Sequence, residues 1–180
     1  MFGLNLVVHK GKTIFVADTS VHEYPTSEEM SEIAISAARV VRLFGFDPKV
    51  AFVSHSTFGQ PVTSRTKHIR KAVDILREKN VDFKFDGDMQ PDVALNKEYK
   101  SLYPFSDIVG NANILIMPGQ HSAAISYKMM KELGDTKVIG PLLIGLGLPI
   151  EIAPLRTSTS ELINLASIAA YSADVIDYKK

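Results

Sequence analysis

Cysteine is absent from this chain of 180 residues, and so is an excess of charge of either sign. Without cysteine, neither disulfides nor cysteine-ligated zinc sites can form, which is compatible with a reducing, cytoplasmic setting. Lys plus Arg and Asp plus Glu each number 20, and this balance argues against a nucleic-acid-binding protein, which usually carries a basic excess. The N-terminal residues MFGLNLVVHKGK lack the basic segment and the cleavage site of a signal peptide, so we expect none.

Charge is also scarce between residues 138 and 155, where Glu151 is the single charged side chain. A membrane span needs about 20 apolar residues in continuous helix. Glycines and prolines interrupt this run, and an internal proline costs a helix about 3 kcal/mol. The run therefore predicts two short strands, residues 137–140 and 149–153, that cross a buried part of the fold and lead to Arg156.

The rest of the chain alternates strand patterns with helix patterns, without repeats or linkers. Capping-box spacing places helix starts at Thr26 with Glu29 and at Ser158 with Glu161, and Ser122 is predicted to be the N-cap of another helix. Apolar periodicity predicts strands at residues 4–8, 13–17, 49–54, 81–85 and 113–117 and helices at 26–44, 65–79, 122–133 and 158–173. This order predicts one α/β domain, or part of one, with helices on both faces of a largely parallel sheet.

Ligands of open α/β sheets bind at the carboxyl ends of the strands, and four polar loops are predicted to leave such ends. They comprise residues 54–64, 86–92, 118–122 and 154–160. Hydroxyls and backbone N–H groups ahead of a helix suit a phosphate or a carboxylate. The candidate ligand contacts are Ser54, Ser56, Thr57, Gln120, Ser122, Arg156, Ser158 and Glu161.

Each candidate also has a plainer interpretation. The hydroxyls of residues 54–64 are common in any capped loop, and Arg156 could simply pair with Glu161. Residues 86–92 carry three aspartates but not a calcium-loop pattern, since Lys97 stands where a ligating glutamate is needed, so turn carboxylates are favoured. There is no GxGxxG, Walker or HExxH motif, and no nucleophile with a base and an orienting partner.

Three segments resemble the phosphate acetyl/butyryltransferase family, in the order in which that family has them. They are FVADTSVHEYPTSEEMSEIAISAARVVRLFGFDPKVAFVSHSTFG, FKFDGDMQPDVAL and ANILIMPGQHSAAISYKMMKELGDTKVIGPLLIGLGLPIEIAPLRTSTSELINLASIAA. The resemblance implies a three-layer α/β/α fold like that of isocitrate and isopropylmalate dehydrogenases. Family members are about twice as long, so residues 1–157 are expected to be their second domain. Residues 158–180 are expected to be the helix that returns to a first domain, which supplies the other half of the cleft.

The resemblance also shows a departure at the phosphate site. Active members carry Ser-Arg-Gly after the strand that matches residues 149–153, followed by an acidic residue that is thought to act as a base. Here Pro154 and Leu155 take the places of that Ser and Arg, Arg156 is displaced by one position, and Glu161 matches the acid. Acyl transfer is therefore not expected of this chain as it stands.

VADTSVHEYPT, SHSTFG and NLASIAAYSA are more similar to the phosphotransacetylase-like C-terminal part of large bacterial NADP-dependent malic enzymes. The resemblance implies a non-catalytic domain that senses acetyl-CoA, regulates malate decarboxylation and helps to assemble a homo-oligomer. NADP and a divalent metal are then expected in an upstream part, with no cofactor, metal, nucleic acid or membrane bound here. The alternative is part of an active phosphate acetyl/butyryltransferase, which moves an acyl group between CoA and phosphate.

Overall fold

The computed structural model describes residues 1–175 as a seven-stranded sheet between two layers of helices. In chain order the elements are β1 (Phe2–His9), β2 (Lys12–Ala17), α1 (Ser27–Leu43), β3 (Lys49–Val53), α2 (Ser64–Glu78), β4 (Lys84–Met89), α3 (Pro91–Leu95), a 3₁₀ helix (Lys97–Ser101), β5 (Ile114–Ile116), α4 (Gln120–Leu133), β6 (Thr136–Ile144), β7 (Ile150–Glu151) and α5 (Thr159–Val175). None of the helices in these residues is long and apolar enough to cross a membrane.

The strand order is β4-β3-β5-β2-β1-β6-β7. The contacts β4-β3, β3-β5 and β5-β2 are parallel, whereas β2-β1, β1-β6 and β6-β7 are antiparallel. Two successive reversals leave β6 pointing the same way as β2, so β1 and β7 are the strands that run against the others. The α/β prediction is confirmed, and the largely parallel sheet is confirmed in part.

Alternation along the strands builds one apolar core on each face of the sheet. Phe15 and Phe52 pack under α1 and α2 together with Met30, Ile69 and Leu76. Val16 and Val53 point the other way and meet residues of α3 and α4, including Val93 and Ala123. The first two predicted strands form a hairpin, with Leu4 opposite Ala17 and the turn at Lys10 and Gly11, where φ is +76° at Gly11.

Local signals placed most helix starts correctly. Thr26 Oγ1 accepts from Glu29 N at 3.1 Å while Glu29 Oε2 accepts from Thr26 N at 2.7 Å, as the capping box predicts. Ser158 and Glu161 make the equivalent pair of bonds at α5. Ser122, in contrast, is not an N-cap: α4 begins two residues earlier after Gly119, and the Ser122 hydroxyl donates to Gly119 O at 2.7 Å.

The strand predicted at residues 81–85 is displaced and lies at Lys84–Met89. Of the three aspartates that were predicted to form a turn, Asp92 lies in the first turn of α3, whereas Asp86 and Asp88 lie at the end of this strand. Asp88 is fully buried there, and its Oδ1 accepts from Gly59 N at 3.1 Å. The backbone hydrogen bonds of β3 continue into this segment, which explains why acidic residues remain in a strand.

The apolar run at residues 138–155 is buried only in its first part. Val138 and Leu142 are buried in β6, but Leu148, Ile150 and Leu155 are exposed, so the predicted buried crossing is wrong beyond β6. The inward face of α5 is narrow, since Leu165 is buried while Leu162 is exposed. The predicted return of residues 158–180 to a first domain stays a prediction, and residues 176–180 lie outside the described part.

Candidate functional site

Two separate concavities hold four of the eight predicted ligand contacts, Ser54 and Ser122 in one and Arg156 and Glu161 in the other. The first, called the carboxyl-edge pocket, has a volume of about 210 Å³ and lies where β3 and β5 end. Its lining includes Ser54, Ser122 and Gly119, so the structure brings together the loops at residues 54–64 and 118–122 as predicted. Glu23, Tyr24, His55, Arg65 and His121 complete its polar and aromatic lining.

A buried carboxylate holds the loop that closes this pocket. Asp18 follows β2 and accepts hydrogen bonds from Gly3 N and His22 N, both at 2.8 Å, and pairs with His22 Nδ1 at 2.6 Å. Gln120 fixes the same loop to α4, because its backbone N donates to His22 O at 3.0 Å and its Nε2 donates to Ser20 O at 3.3 Å. The polar groups of Gln120 thus position Glu23 and Tyr24 rather than face an open pocket.

Arg65 is a residue of this pocket that sequence reasoning missed. It lies in the first turn of α2, donates from Nη2 to Pro118 O, and places its guanidinium 5.5 Å from the centre of the Tyr24 ring. Arg65 is the second residue after the N-cap Thr63, and a cation there opposes the usual acidic preference of a first helical turn. That inversion was the signal available in the sequence.

The other hydroxyls of this loop turn inward. Thr57 Oγ1 accepts from Gln90 N at 3.2 Å, and Ser56 is fully buried with a hydroxyl that has no partner among the described residues. Ser54 is mostly buried and accepts from Ser56 N at 3.3 Å, but it still lines the pocket. Of the three predicted contacts in this loop, Ser54 alone reaches the pocket.

The second concavity, called the β6 cavity, has a volume of about 350 Å³ and lies between α4, β6 and α5. Its walls are mainly apolar and include Tyr127, Ile139, Pro141 and Leu165. Charged groups also line it: Lys128, Lys131, Glu132, Arg156 and Glu161. An apolar cavity with cationic side chains suits a ligand that has an anionic group and an apolar portion.

The direction of β7 places Arg156 in this cavity instead of the carboxyl-edge pocket. Because Leu142 pairs with Glu151 in an antiparallel register, the chain after β7 runs back along β6. Residues 154–157 therefore lie beside Gly140 and Pro141, not at the edge where β3 and β5 end. The prediction that all four loops share one edge is wrong for this loop.

Glu161 is held by three polar contacts. Its Oε2 accepts from Ser158 N at 2.7 Å and from the Ser158 hydroxyl at 2.9 Å, and its Oε1 accepts from Lys131 Nζ at 3.0 Å. The backbone hydrogen bond from Ser158, followed by that from Lys131, lowers the pKa of Glu161 to about 2. The carboxylate is therefore ionised at neutral pH, stabilised as the base form and already engaged.

Arg156 does not make the predicted pair with Glu161, whose cationic partner is Lys131. Among the side chains that the structure describes, those of residues 1–173, Arg156 is exposed and has no carboxylate within salt-bridge distance. A guanidinium is a strong, geometrically defined anion ligand. The arrangement thus offers a free cation beside an apolar cavity and a carboxylate that is poorly placed to accept a proton.

A family model described as phosphate acetyl/butaryl transferase matches residues 1–170. The chain belongs to the phosphate acetyl/butyryltransferase family. Its fold agrees with a phosphotransacetylase structure from Streptococcus pyogenes, with a TM-score of 0.90 and 32% identity over 96% of this chain and 54% of that one. The expected family fold is therefore confirmed.

Two kinds of protein, malic enzymes and phosphate acetyltransferases, have sequences similar to this chain. An NADP-dependent malic enzyme of Rhizobium meliloti is 48% identical over 96% of the chain, which spans 23% of that protein. A phosphate acetyltransferase of Clostridium acetobutylicum is 33% identical over 89% of the chain, which spans 49% of that protein. The chain thus spans about a quarter of the malic enzyme and about half of the transferase.

Proposed function

We propose that this chain is the regulatory and assembly domain of an NADP-dependent malic enzyme, where it senses acetyl-CoA without transferring its acyl group. The 48% identity to the Rhizobium meliloti malic enzyme supports that parent protein. In this proposal the NADP and divalent metal sites, and the conversion of malate to pyruvate, belong to an upstream part of the polypeptide. In this proposal the chain regulates the enzyme and does not itself catalyse the reaction.

The main support for a domain without transfer activity is the lowered pKa of Glu161 together with its hydrogen bonds. A general base works best when its pKa lies near the working pH, whereas the Ser158 and Lys131 contacts lower the pKa of this carboxylate to about 2. Its lone pairs face Ser158 and Lys131 instead of a CoA thiol. Together with Pro154 and Leu155 in the places of the family's Ser and Arg, this favours binding over transfer.

The expected ligand chemistry fits the two concavities. Acetyl-CoA carries phosphates at one end and a thioester at the other, so it needs cations and an apolar surface. Arg156 and Lys128 supply the cations of the β6 cavity, and Leu165 and Tyr127 supply apolar walls. Ser54 and Ser122 remain candidate contacts in the carboxyl-edge pocket.

The outer side of α4 supports the homo-oligomer that we propose. Ile125, Met129 and Leu133 are exposed large side chains at successive helical turns, and they form a stripe here called the α4 stripe. Side chains at i and i+4 lie on the same face of a helix, and contiguous exposed apolar surface marks association sites. A second copy of the chain is the proposed occupant.

The second candidate function is part of a working phosphate acyltransferase. It is favoured by the family model, by the 33% identity to a phosphate acetyltransferase, and by the match to about half of that protein. In this reading a first domain would supply the phosphate-binding groups that residues 154 and 155 lack. Glu161 would then have to leave Lys131 before it could act as a base.

The test uses the full-length protein that contains this chain. We expect NADP-dependent oxidation of malate, inhibition by acetyl-CoA, and no enzyme-like release of CoA from acetyl-CoA and phosphate. Glu161→Gln should leave malate oxidation unchanged, with Glu132→Gln on the same cavity as a matched control. Rapid CoA release that Glu161→Gln abolishes and Glu132→Gln retains would establish the transferase instead.

A further inference from the structure

Three aromatic rings form a partly exposed cluster near β4, at the opposite edge of the sheet from α5. The Phe58 ring centre lies 4.9 Å from that of Phe105 and 5.4 Å from that of Tyr103. Phe105 is 70% exposed, and neighbouring positions in the two loops hold Leu102 at 65% and Val62 at 59%. These five residues are called the aromatic patch.

An arginine accompanies the patch. Gly59, at φ +82°, follows Phe58, and the Arg70 guanidinium lies so close to its backbone that a side chain at residue 59 would meet it. Relative to the described side chains of residues 1–173, Arg70 is exposed and makes neither an ion pair nor a side-chain hydrogen bond. Aromatic residues and arginine are the side chains most enriched at the centres of protein interfaces.

The patch lies far from α5, the helix that is expected to return to a first domain. Phe58 N donates to Asp88 O at 2.7 Å, which attaches the patch to β4 at one end of the strand order. The helix α5 packs on β6 and β7 at the other end. Five steps of about 4.8 Å separate β4 from β6, roughly 24 Å. One small partner domain docked on α5 would leave the patch open.

We propose that the aromatic patch docks the malate-oxidising part of the same polypeptide, which presents an apolar side chain beside a carboxylate that pairs with Arg70. This inference rests on the proposed function. It is supported by length, because more than three quarters of the Rhizobium meliloti malic enzyme lies outside the region matched by this chain. Contact at the patch would give the β6 cavity a physical link to the dehydrogenase part.

Cross-linking from the patch tests the docking directly. In the full-length protein, Phe105 is replaced with the photoreactive amino acid p-benzoylphenylalanine, and the cross-linked peptides are mapped by mass spectrometry. We expect them to come from the malate-oxidising part. The same replacement at Leu148, which is 68% exposed in the turn before β7, serves as the control and should not reach those peptides.

Cross-links from Phe105 to a second copy of the patch would overturn the proposal in favour of a homodimer contact. Yields no higher than at Leu148 would overturn docking altogether. Both outcomes are independent of acetyl-CoA. If the unmodified protein oxidises malate but ignores acetyl-CoA, the sensing function fails while the cross-link map still decides the docking.

The double substitution Phe105→Ser and Arg70→Ser tests the consequence of docking. We expect half-inhibition of malate oxidation to need about tenfold more acetyl-CoA, a common size for coupling between two sites. If docking favours the state that binds acetyl-CoA, loss of docking should also weaken the binding of acetyl-CoA, measured by calorimetry, by the same factor. Leu148→Ser should leave both measurements unchanged, and an unaltered inhibition curve in the double variant would contradict the coupling.

Discussion

Lys131 Nζ and Glu161 Oε1 lie 3.0 Å apart and join the last turn of α4 to the first turn of α5 beside the β6 cavity. The same glutamate completes the capping box of α5 with Ser158. One carboxylate therefore fixes the start of a helix and one wall of the candidate site. Any ligand that binds in the cavity meets Arg156 and Lys128 as the available cations rather than Lys131.

We expect Arg156→Ala to weaken acetyl-CoA inhibition of the full-length protein by about ten- to a hundredfold. A hydrogen bond to a charged group contributes roughly 1.5–3 kcal/mol, which corresponds to that range of affinity. Malate turnover without effector should stay the same. Arg39→Ala, an exposed arginine on α1, is the matched control. An inhibition curve identical to that of the unmodified protein would remove Arg156 from the site.

The titration of Glu161 should have its midpoint near pH 2, because the Ser158 and Lys131 contacts lower its pKa to about that value. A lowered carboxylate pKa contributes stability that is complete above the unfolded value of 4.5 and is lost as the pH falls through about 2. Carboxyl NMR of the Lys131→Met variant should show the midpoint raised. Lys71→Met, which breaks the pair with Glu28, should leave it in place.

Glu151 should make the chain less stable as the pH rises from 4.5 to about 7. Burial raises its pKa to about 7, so the folded state holds a proton that the unfolded state releases. Above pH 7 the ionised group costs about 1–2 kcal/mol once partial exposure is discounted. Glu151→Gln should raise the melting temperature by roughly 2–8 °C at pH 8 and hardly at pH 5.

The matched comparison for that prediction is Glu132→Gln, an exposed glutamate on α4. It should leave the pH dependence of the melting temperature intact. Equal melting curves for Glu151→Gln and the unmodified chain at pH 8 would show that water already solvates the carboxylate.

The α4 stripe should drive self-association of the purified chain. Met129→Glu together with Leu133→Glu places charge on exposed apolar positions that a second copy would cover, and an unpaired buried charge strongly disfavours an interface. Light scattering should show the unmodified chain as an oligomer and the double variant as a monomer. Leu148→Glu, at a comparably exposed position, should remain associated; a monomeric unmodified chain would refute the interface.

Local chemistry explains which parts of the fold the sequence could reveal. Thr26 with Glu29 and Ser158 with Glu161 form their caps within four residues, so the helix starts depend little on the rest of the chain. The strand β4 does depend on it. The buried Asp88 accepts from Gly59, which lies on a loop distant in sequence, and no pattern near residue 88 encodes that partner.

The candidate site was harder to predict for a topological reason. Ser54 and Ser122 follow parallel strands and meet, as their positions suggest. Arg156 follows β7, whose direction is set by pairing with β6, and it consequently lies in another concavity. A residue's position after a strand predicts the sheet edge where it lies only when the direction of that strand is known.

Among the paired strands of the sheet, β1 and β6 are the farthest apart in sequence. β1 pairs at once with β2 through a two-residue turn, but its other side pairs with β6, where Phe2 faces Ile144. During synthesis, that side has no native partner until Thr136–Ile144 has left the ribosome. A nascent chain halted before β6 carries an open apolar strand edge, which is a template for pairing with other chains. We therefore expect copies that stall or are truncated before β6 to depend on chaperones.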